Sequence, residues 1–206
     1  MPKRLDLTQI NRLNNQNIFL DTNILIYVFC PISNTNPTFV TNYSKAFNYL
    51  IQSNNKLYID FAVLSEFINR YVQIAFKIHS SKNESPKGAP VAGNGRDRSL
   101  RASPGPKEFE FKKDYKKTED FKETLNLISS AINKILNKTI FTNFSYSNQD
   151  VRDLINNYKN QLIDVNDLHI IKLCKLNNYL LLTNDSDYKN ADIDIISGNP
   201  KLLKLV

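Results

Sequence analysis

Residues 18–29 read IFLDTNILIYVF, and the change of character at Asp21 decides the fold class. Ile18, Phe19 and Leu20 are three apolar residues in a row with no polar alternation. That is the pattern of a strand buried on both faces, as in a parallel sheet covered by helices. Asp21 ends the run. Thr22 and Asn23 are residue types that cap helix N-termini, because their side-chain oxygens accept from backbone N–H groups that have no partner inside the helix. Ile24 to Cys30 then continues as a helical turn or two until Pro31, which lacks an N–H, stops it.

Working outward, the same alternation recurs. Tyr43 to Gln52 reads as a helix with Ala46, Phe47, Leu50 and Ile51 on one face. KLYID (56–60) is a second strand. Val63 to Ile78 is a helix whose apolar stripe is expected at Val63, Phe67, Ile74 and Ile78. Thr118 to Leu136 and Ser147 to Tyr158 are further helices. Ser147 with Asp150 three residues on forms a start like a capping box. Val165 to Leu176 is a helix with Leu168, Ile171 and Leu173 inward, YLLLT (179–183) a strand, and Ile193 to Ile196 a last strand. Strands alternating with helices predict an α/β chain: a three-layer α/β/α sandwich around a mainly parallel sheet. One domain is expected over 1–206, broken by a disordered insertion at about 81–110.

That insertion stands apart in composition. Residues 86–107, PKGAPVAGNGRDRSLRASPGPK, hold four of the chain's five glycines and four of its eight prolines, and no Ile, Phe or Tyr. Such a segment buries too little apolar surface to offset its ordering entropy. It also carries Lys87, Arg96, Arg98, Arg101 and Lys107 against Asp97 alone, so much of the net charge of +7 sits there and the body is mildly basic. The balance permits a polyanionic partner. A passive insert or a basic arm that grips RNA are both open. The longest apolar run, Ile24 to Cys30, is far shorter than a membrane span of about twenty residues, so no membrane partner is expected. The N-terminal residues lack an apolar signal core, and Cys30 and Cys174 lack metal-type spacing. A soluble, reduced, cytoplasmic protein is the expectation.

Four acids fall where such a fold can gather them. Asp21 ends the first strand, Glu66 lies in the first turn after the second, Asp167 near the start of a helix, and Asp185 just after YLLLT. Ligands of open parallel sheets bind outside the carboxyl ends of the strands. Carboxylates packed together repel and take up protons unless a cation joins them, and hard oxygen ligands suit Mg²⁺ or Mn²⁺. Each acid also has a plain role: Asp21 as a cap, Glu66 and Asp167 as acids near a helix N-terminus, Asp185 as a turn residue. No Ser-His-Asp or Cys-His set and no Gly-rich phosphate loop is evident, and His79 and His169 are single, read as surface or structural.

Taken together, IFLDTNILIYVF, VLSEF (63–67) and NDLHIIKLCKLNNYLLLTNDSDY (166–188) resemble the PIN-domain ribonucleases, whose small members include the toxins of bacterial toxin–antitoxin pairs. The resemblance covers roughly residues 17–80 and 118–200. It implies an endoribonuclease in which Asp21, Glu66, Asp167 and Asp185 hold Mg²⁺ or Mn²⁺ and metal-activated water cuts RNA. Thr183 matches the family's hydroxyl beside the metal, and Asn23 a polar residue lining the site. A protein antitoxin and a homodimer are the partners it implies. The chain departs from the pattern in its length, its insert and two extra acids, Asp164 and Asp187, which are candidate additional ligands. Arg70, Lys172 and Lys189 are candidates for an RNA groove, and Tyr188 for base stacking. Two other readings stay open: a non-catalytic PIN-like module that binds RNA or a partner, and a related metal-dependent DNA nuclease. A haloacid-dehalogenase arrangement is disfavoured, because Asn23 stands where it needs a second Asp.

Overall fold

In the computed structural model, which describes residues 2–33, 35–83, 110–161 and 163–204, the buried run at 17–20 is the second strand of a parallel sheet. The strands are β1 (Arg4–Asp6), β2 (Asn17–Leu20), β3 (Lys56–Ile59), β4 (Ile140–Phe141), β5 (Leu180–Leu182) and β6 (Ile195–Ser197). Their order across the sheet is β1-β6-β5-β2-β3-β4, and every described pair is parallel. The helices are α1 (Thr22–Phe29), α2 (Pro37–Gln52), α3 (Phe61–Asn83), α4 (Glu119–Leu136), α5 (Asn148–Gln161), α6 (Val165–Asn177) and the single turn α7 (Pro200–Leu203). With right-handed crossovers, the steps β2 to β3 to β4 place α1–α4 on one face, and the return from β4 to β5 places α5 and α6 on the other. The result is the α/β/α sandwich expected from the alternation, with a sheet that is wholly parallel among the described residues.

Strand order reverses between β5 and β2, where the chain runs outward through β3 and later returns. A crevice opens at such a switch point beyond the carboxyl ends of the two strands. Ile18, Phe19, Leu20, Leu181 and Leu182 line the sheet there with no exposed surface, so the crevice rests on a rigid floor.

Tight entries into the inner strands are made without glycine. Asn15, Asn54 and Asn178 have φ of 55°, 55° and 54° and stand shortly before β2, β3 and β5. Asparagine tolerates this left-handed region better than most side chains. Asn178 ends α6 in this way. Buried Asn55 ties the entries of β2 and β3 together: its amide donates to the Leu13 and Leu50 carbonyls, and its oxygen accepts from the Gln16 N–H.

Several expectations are corrected. β1 and β4 were not foreseen. Asp21, not Thr22 or Asn23, is the N-cap of α1. α2 begins earlier, at Pro37, with Asn36 as its cap. α3 begins at Phe61, which puts Glu66 in its second turn. The buried stripe of α3 is Val63, Phe67, Tyr71 and Ala75; Ile74 and Ile78 lie on the same face but are only partly buried, Ile74 packing against the core. On α6, Ile170 and Cys174 join Leu168 and Leu173 inside, while Ile171 is partly exposed. The Ser147–Asp150 capping box is present: the Asp150 N–H donates to Ser147 Oγ, and the Ser147 N–H to Asp150 Oδ2. Cys30 and Cys174 are free and buried.

The anomalous segment 86–107, with the expected disorder of 81–110, lies mostly outside the described residues. Its two ends are informative. α3 is 23 residues long, so its far end stands about 35 Å from its start. The chain resumes at Glu110, and Tyr115 then seats its ring without exposure among Phe76, Phe111 and Phe121 while its hydroxyl donates to Asp120. The insertion therefore leaves and re-enters at the tip of the α3–α4 pair, away from the crevice. Among the described residues no helix is long and apolar enough to cross a membrane.

Candidate functional site

Asp21 is the first residue beyond β2, still held to the sheet by its N–H, which donates to the Leu182 carbonyl at 3.1 Å. Its extended backbone turns directly into α1. Oδ1 accepts from the Thr22 N–H at 2.6 Å, which is the cap. Oδ2 accepts from the Asn23 amide at 2.6 Å and from the Thr183 hydroxyl at 2.5 Å. The residue is only 6% exposed. Burial pushes its carboxyl up to about 7, with repulsion from Asp167 and Asp185 adding to the rise and the Thr183 and Thr22 donors opposing it.

Thr183 and Asp185 come from the other side of the crevice, just past β5. Thr183 Oγ1 also accepts from the Asp185 N–H at 3.0 Å, and Asp185 Oδ1 accepts from the Asp187 N–H at 3.1 Å to start a 3-10 turn over 186–190. Asn184, between them, is bonded at every polar group. Its N–H donates to Asn23 Oδ1, its amide to the Tyr27 hydroxyl, its side-chain oxygen accepts from Tyr43, and its carbonyl from the Asn199 amide. That residue was missed in the sequence, where its only signal was a place between two candidate site residues.

The remaining acids arrive by separate routes. Asp167 is in the first turn of α6, and Oδ1 accepts from the Tyr188 hydroxyl at 2.6 Å. Its carboxyl is pushed up to about 6, by burial first, against the Tyr188 donor, with repulsion from Asp185, Asp164 and Asp187 adding. Glu66 faces the cap of α1: Oε2 accepts from the Thr22 hydroxyl at 3.1 Å, while Oε1 pairs with Arg70 at 2.7 Å. Asp164 is the N-cap of α6 rather than a member of it, and its carboxylate accepts from the Asn166 N–H at 3.0 Å. Asp187 is exposed on the 3-10 turn.

The charges of Asp167 and Asp185 thus reach Asp21, that of Asp185 reaches Asp167, Glu66 joins through Thr22, and Asp164 and Asp187 stand at the rim. Among the described residues, however, no three His, Cys, Asp or Glu side chains form a ready-made ligand set for one ion. The reason is visible in the bonds: each of the four principal carboxylates turns toward a protein donor of its own. In kind the set is all oxygen and strongly anionic, which suits a hard divalent cation.

Tyr188 is fully buried and bonded to Asp167, so it stacks on no ligand, and burial holds its hydroxyl well above the usual phenol range. Of the groove candidates, Arg70 is paired with Glu66, and Lys172 is paired with Asp150 while lying over the Phe144 and Tyr146 rings. Lys189 is exposed. His79 is remote from the crevice, 3.3 Å from Asp120 and against the Tyr115 ring.

One further group was not legible. Asp60, the residue after β3, is 4% exposed and repeats the role of Asp21 one strand away: Oδ1 accepts from the Val63 N–H at 2.9 Å and so opens α3. Its Oδ2 meets His169 Nε2, and His169 Nδ1 meets the Tyr146 hydroxyl. His169, read as single, is the middle of an Asp60–His169–Tyr146 chain. Burial, with Asp60 and Asp150 nearby, pushes the Tyr146 hydroxyl up to about 12.

No family model matches the chain, and no curated protein sequence does. Among solved structures, VapBC2 from Rickettsia felis, crystallised with a DNA fragment from its promoter, matches over 88% of this chain and 98% of that one. The identity is 17% and the TM-score 0.47. A likeness of that degree transfers neither an activity nor a partner.

Proposed function

We propose that this chain is a metal-dependent endoribonuclease and that the crevice between β2 and β5 is its active site. The observation that carries the reading is the convergence of Asp21, Asp167 and Asp185 on the switch point, where burial first and neighbouring carboxylates second push Asp21 up to about 7 and Asp167 to about 6. Burying acids against one another is costly unless something positive is meant to join them. Mg²⁺ or Mn²⁺ answers the oxygen donor set. RNA as the substrate rests on the resemblance of the three quoted stretches to PIN-domain ribonucleases.

In this reading Asp21, Asp167, Asp185 and Glu66 would hold the ion. A divalent ion there lowers the pKa of a water and offsets charge at phosphorus during in-line displacement. The chain's own contribution is orientation. The Thr183 hydroxyl and the Asn23 amide fix the Asp21 carboxylate, and Asn184 fixes the backbone between Thr183 and Asp185. Tyr188 holds Asp167 by its hydroxyl. Asp164 and Asp187 add negative potential at the rim. A protein antitoxin, in the toxin form of this reading, covers the acidic crevice.

The test pairs binding with turnover. Isothermal titration with Mn²⁺ should show saturable binding to the wild-type protein and none to Asp21→Asn, and labelled single-stranded RNA should be cut by the first only. Equal cleavage by both, or cleavage indifferent to chelator, rejects the assignment.

A further inference from the structure

A second cavity lies beside the acidic crevice, on the far side of the first turn of α6. Ala62, Leu154 and Val165 give it an aliphatic base, Tyr146 and His169 an aromatic wall, and Asn166 a polar rim; its volume is about 260 Å³. We propose that it is a slot for one unpaired nucleobase, next to the nucleotide whose phosphate reacts. This substrate assignment rests on the ribonuclease reading above.

Four features of the geometry argue for it. First, the size: sites for drug-sized ligands run to about 300–1,000 Å³, so this cavity suits a single ring system rather than a whole nucleotide. Second, the wall is fixed in advance. Tyr146 is anchored through its hydroxyl to His169, and His169 in turn to Asp60, whose carboxylate is buried and caps α3. Phe144 meets the Tyr146 ring edge-on at 4.5 Å between centroids. A ring immobilised before the ligand arrives loses little entropy on stacking. Third, the lining is almost wholly apolar, which suits the flat faces of a ring, and Asn166 stands exposed at its border. Every base has a π-face, so stacking on such a wall tolerates sequence.

Fourth is position. Val165 and Asn166 directly precede Asp167 on α6, so slot and crevice share one helical turn. Asp60 ends β3 just as Asp21 ends β2, and these strands are hydrogen-bonded neighbours, about 4.8 Å apart. Lys172, its ammonium paired with Asp150, lies over the Tyr146 and Phe144 rings, 5.7 Å and 5.8 Å from their centroids, and helps to fix the wall. The Asp60–His169–Tyr146 chain is therefore a positioning device for the wall, and a strand crossing the carboxyl edge of the sheet meets the slot beside the acids.

The test uses single-stranded heptanucleotides, each with one abasic position, bound in chelator so that no cleavage intervenes and read by fluorescence anisotropy. In the wild type one position should dominate, its abasic form binding about tenfold more weakly. In Tyr146→Leu, which removes the wall, and in Ala62→Leu, which fills the slot and removes nothing, the same abasic form should lose no more than about twofold relative to the intact strand. Ala62→Leu decides the matter if Tyr146→Leu does not fold. An undiminished penalty in the folded variants, no dominant position in the wild type, or no binding by it, overturns the slot. Mn²⁺-dependent cleavage of the intact strand is measured alongside, and its absence sinks the ribonuclease reading while the abasic series still judges the slot.

Discussion

Replacing Asp21 by Asn should remove most of the pH dependence of stability of the metal-free protein between pH 4 and pH 7. The Asp21 carboxyl moves from an ordinary 3.8 to about 7 on folding. Its folded pKa is raised, so its stabilising contribution is complete below the unfolded value and disappears as pH rises through the folded one. At about 1.36 kcal/mol per unit, the whole span is on the order of 4 kcal/mol, of which about 3 kcal/mol falls between pH 5 and pH 8. Asn at 21 can still accept from the Thr22 N–H. Its amide nitrogen cannot accept from Asn23, and it forces Thr183 to turn, at about 1 kcal/mol for each hydrogen bond lost. The variant should therefore be less stable than the wild type at pH 5 and equal to it or better at pH 8. Urea unfolding in chelator, at intervals across that range, measures both slopes. Asp167, raised to about 6, leaves a smaller slope of the same sign in the variant. Below pH 4 the trend reverses at Asp150, held low by its bond to Lys172, which loses its contribution as it protonates. Saturating Mn²⁺ at pH 8 should restore stability to the wild type alone. Parallel pH curves for the two proteins refute the argument that Asp21 is buried among repelling acids.

Three other outcomes follow from the fold. Leu181→Ala, at a side chain with no exposed surface, should cost about 2–5 kcal/mol through lost transfer and the cavity left, measured as a drop in urea midpoint at unchanged slope. Asn178 has φ of 54°, so Asn178→Gly should be neutral or slightly stabilising while Asn178→Val costs about 1–2 kcal/mol, seen as a fall in Tm. Deleting 86–107 shortens the connection between α3 and α4 and should stabilise by about 1 kcal/mol. Because its ends lie at the tip of that helix pair, the salt dependence of RNA binding should not change. A shallower slope on a plot of log affinity against log salt would restore the basic arm.

How much of this was legible depended on whether a feature is local in the chain. β2, β3 and β5 announce themselves because each strand is a short apolar run that stops at a polar residue, and α4 by its amphipathic pattern, with Thr118 as its cap rather than its first residue. β1 is three residues of which two are charged, and β4 is two residues, 44% and 41% exposed. Such strands exist because a neighbour offers free backbone groups, Ile195 to Ser197 for β1 and Tyr58 with Ile59 for β4, and that offer is not written in their own sequence. The acids were legible as positions but not as rotamers. Asp164 proves to be the N-cap of α6, whose start at Val165 was read from the sequence. Asp60 and His169, 109 residues apart, had no shared sequence signal, although Asp60 follows a strand and precedes a helix just as Asp21 does.

Capping alone does not account for the acid at position 21. The cap needs one oxygen that accepts from Thr22, and Asn or Ser would supply it about as well. This chain uses such substitutes elsewhere: Asn36 caps α2, Thr118 caps α4, and Asn199 caps α7. A neutral cap at 21 would avoid burying a carboxylate and would avoid its repulsion by Asp167 and Asp185. Nor does the helix N-terminus rescue the charge, since its favourable influence and two further donors still leave the carboxyl at about 7. The second oxygen, held by Asn23 and Thr183 toward the open crevice edge of β5, is surplus to the cap. Its presence makes sense if the energy lost in folding is recovered when a cation arrives. On that argument, the metal-free instability at neutral pH and the affinity for a divalent ion are one quantity measured in two ways. The gain in unfolding free energy on adding Mn²⁺ at pH 8 should therefore shrink as pH falls toward 5, where protons already occupy the site.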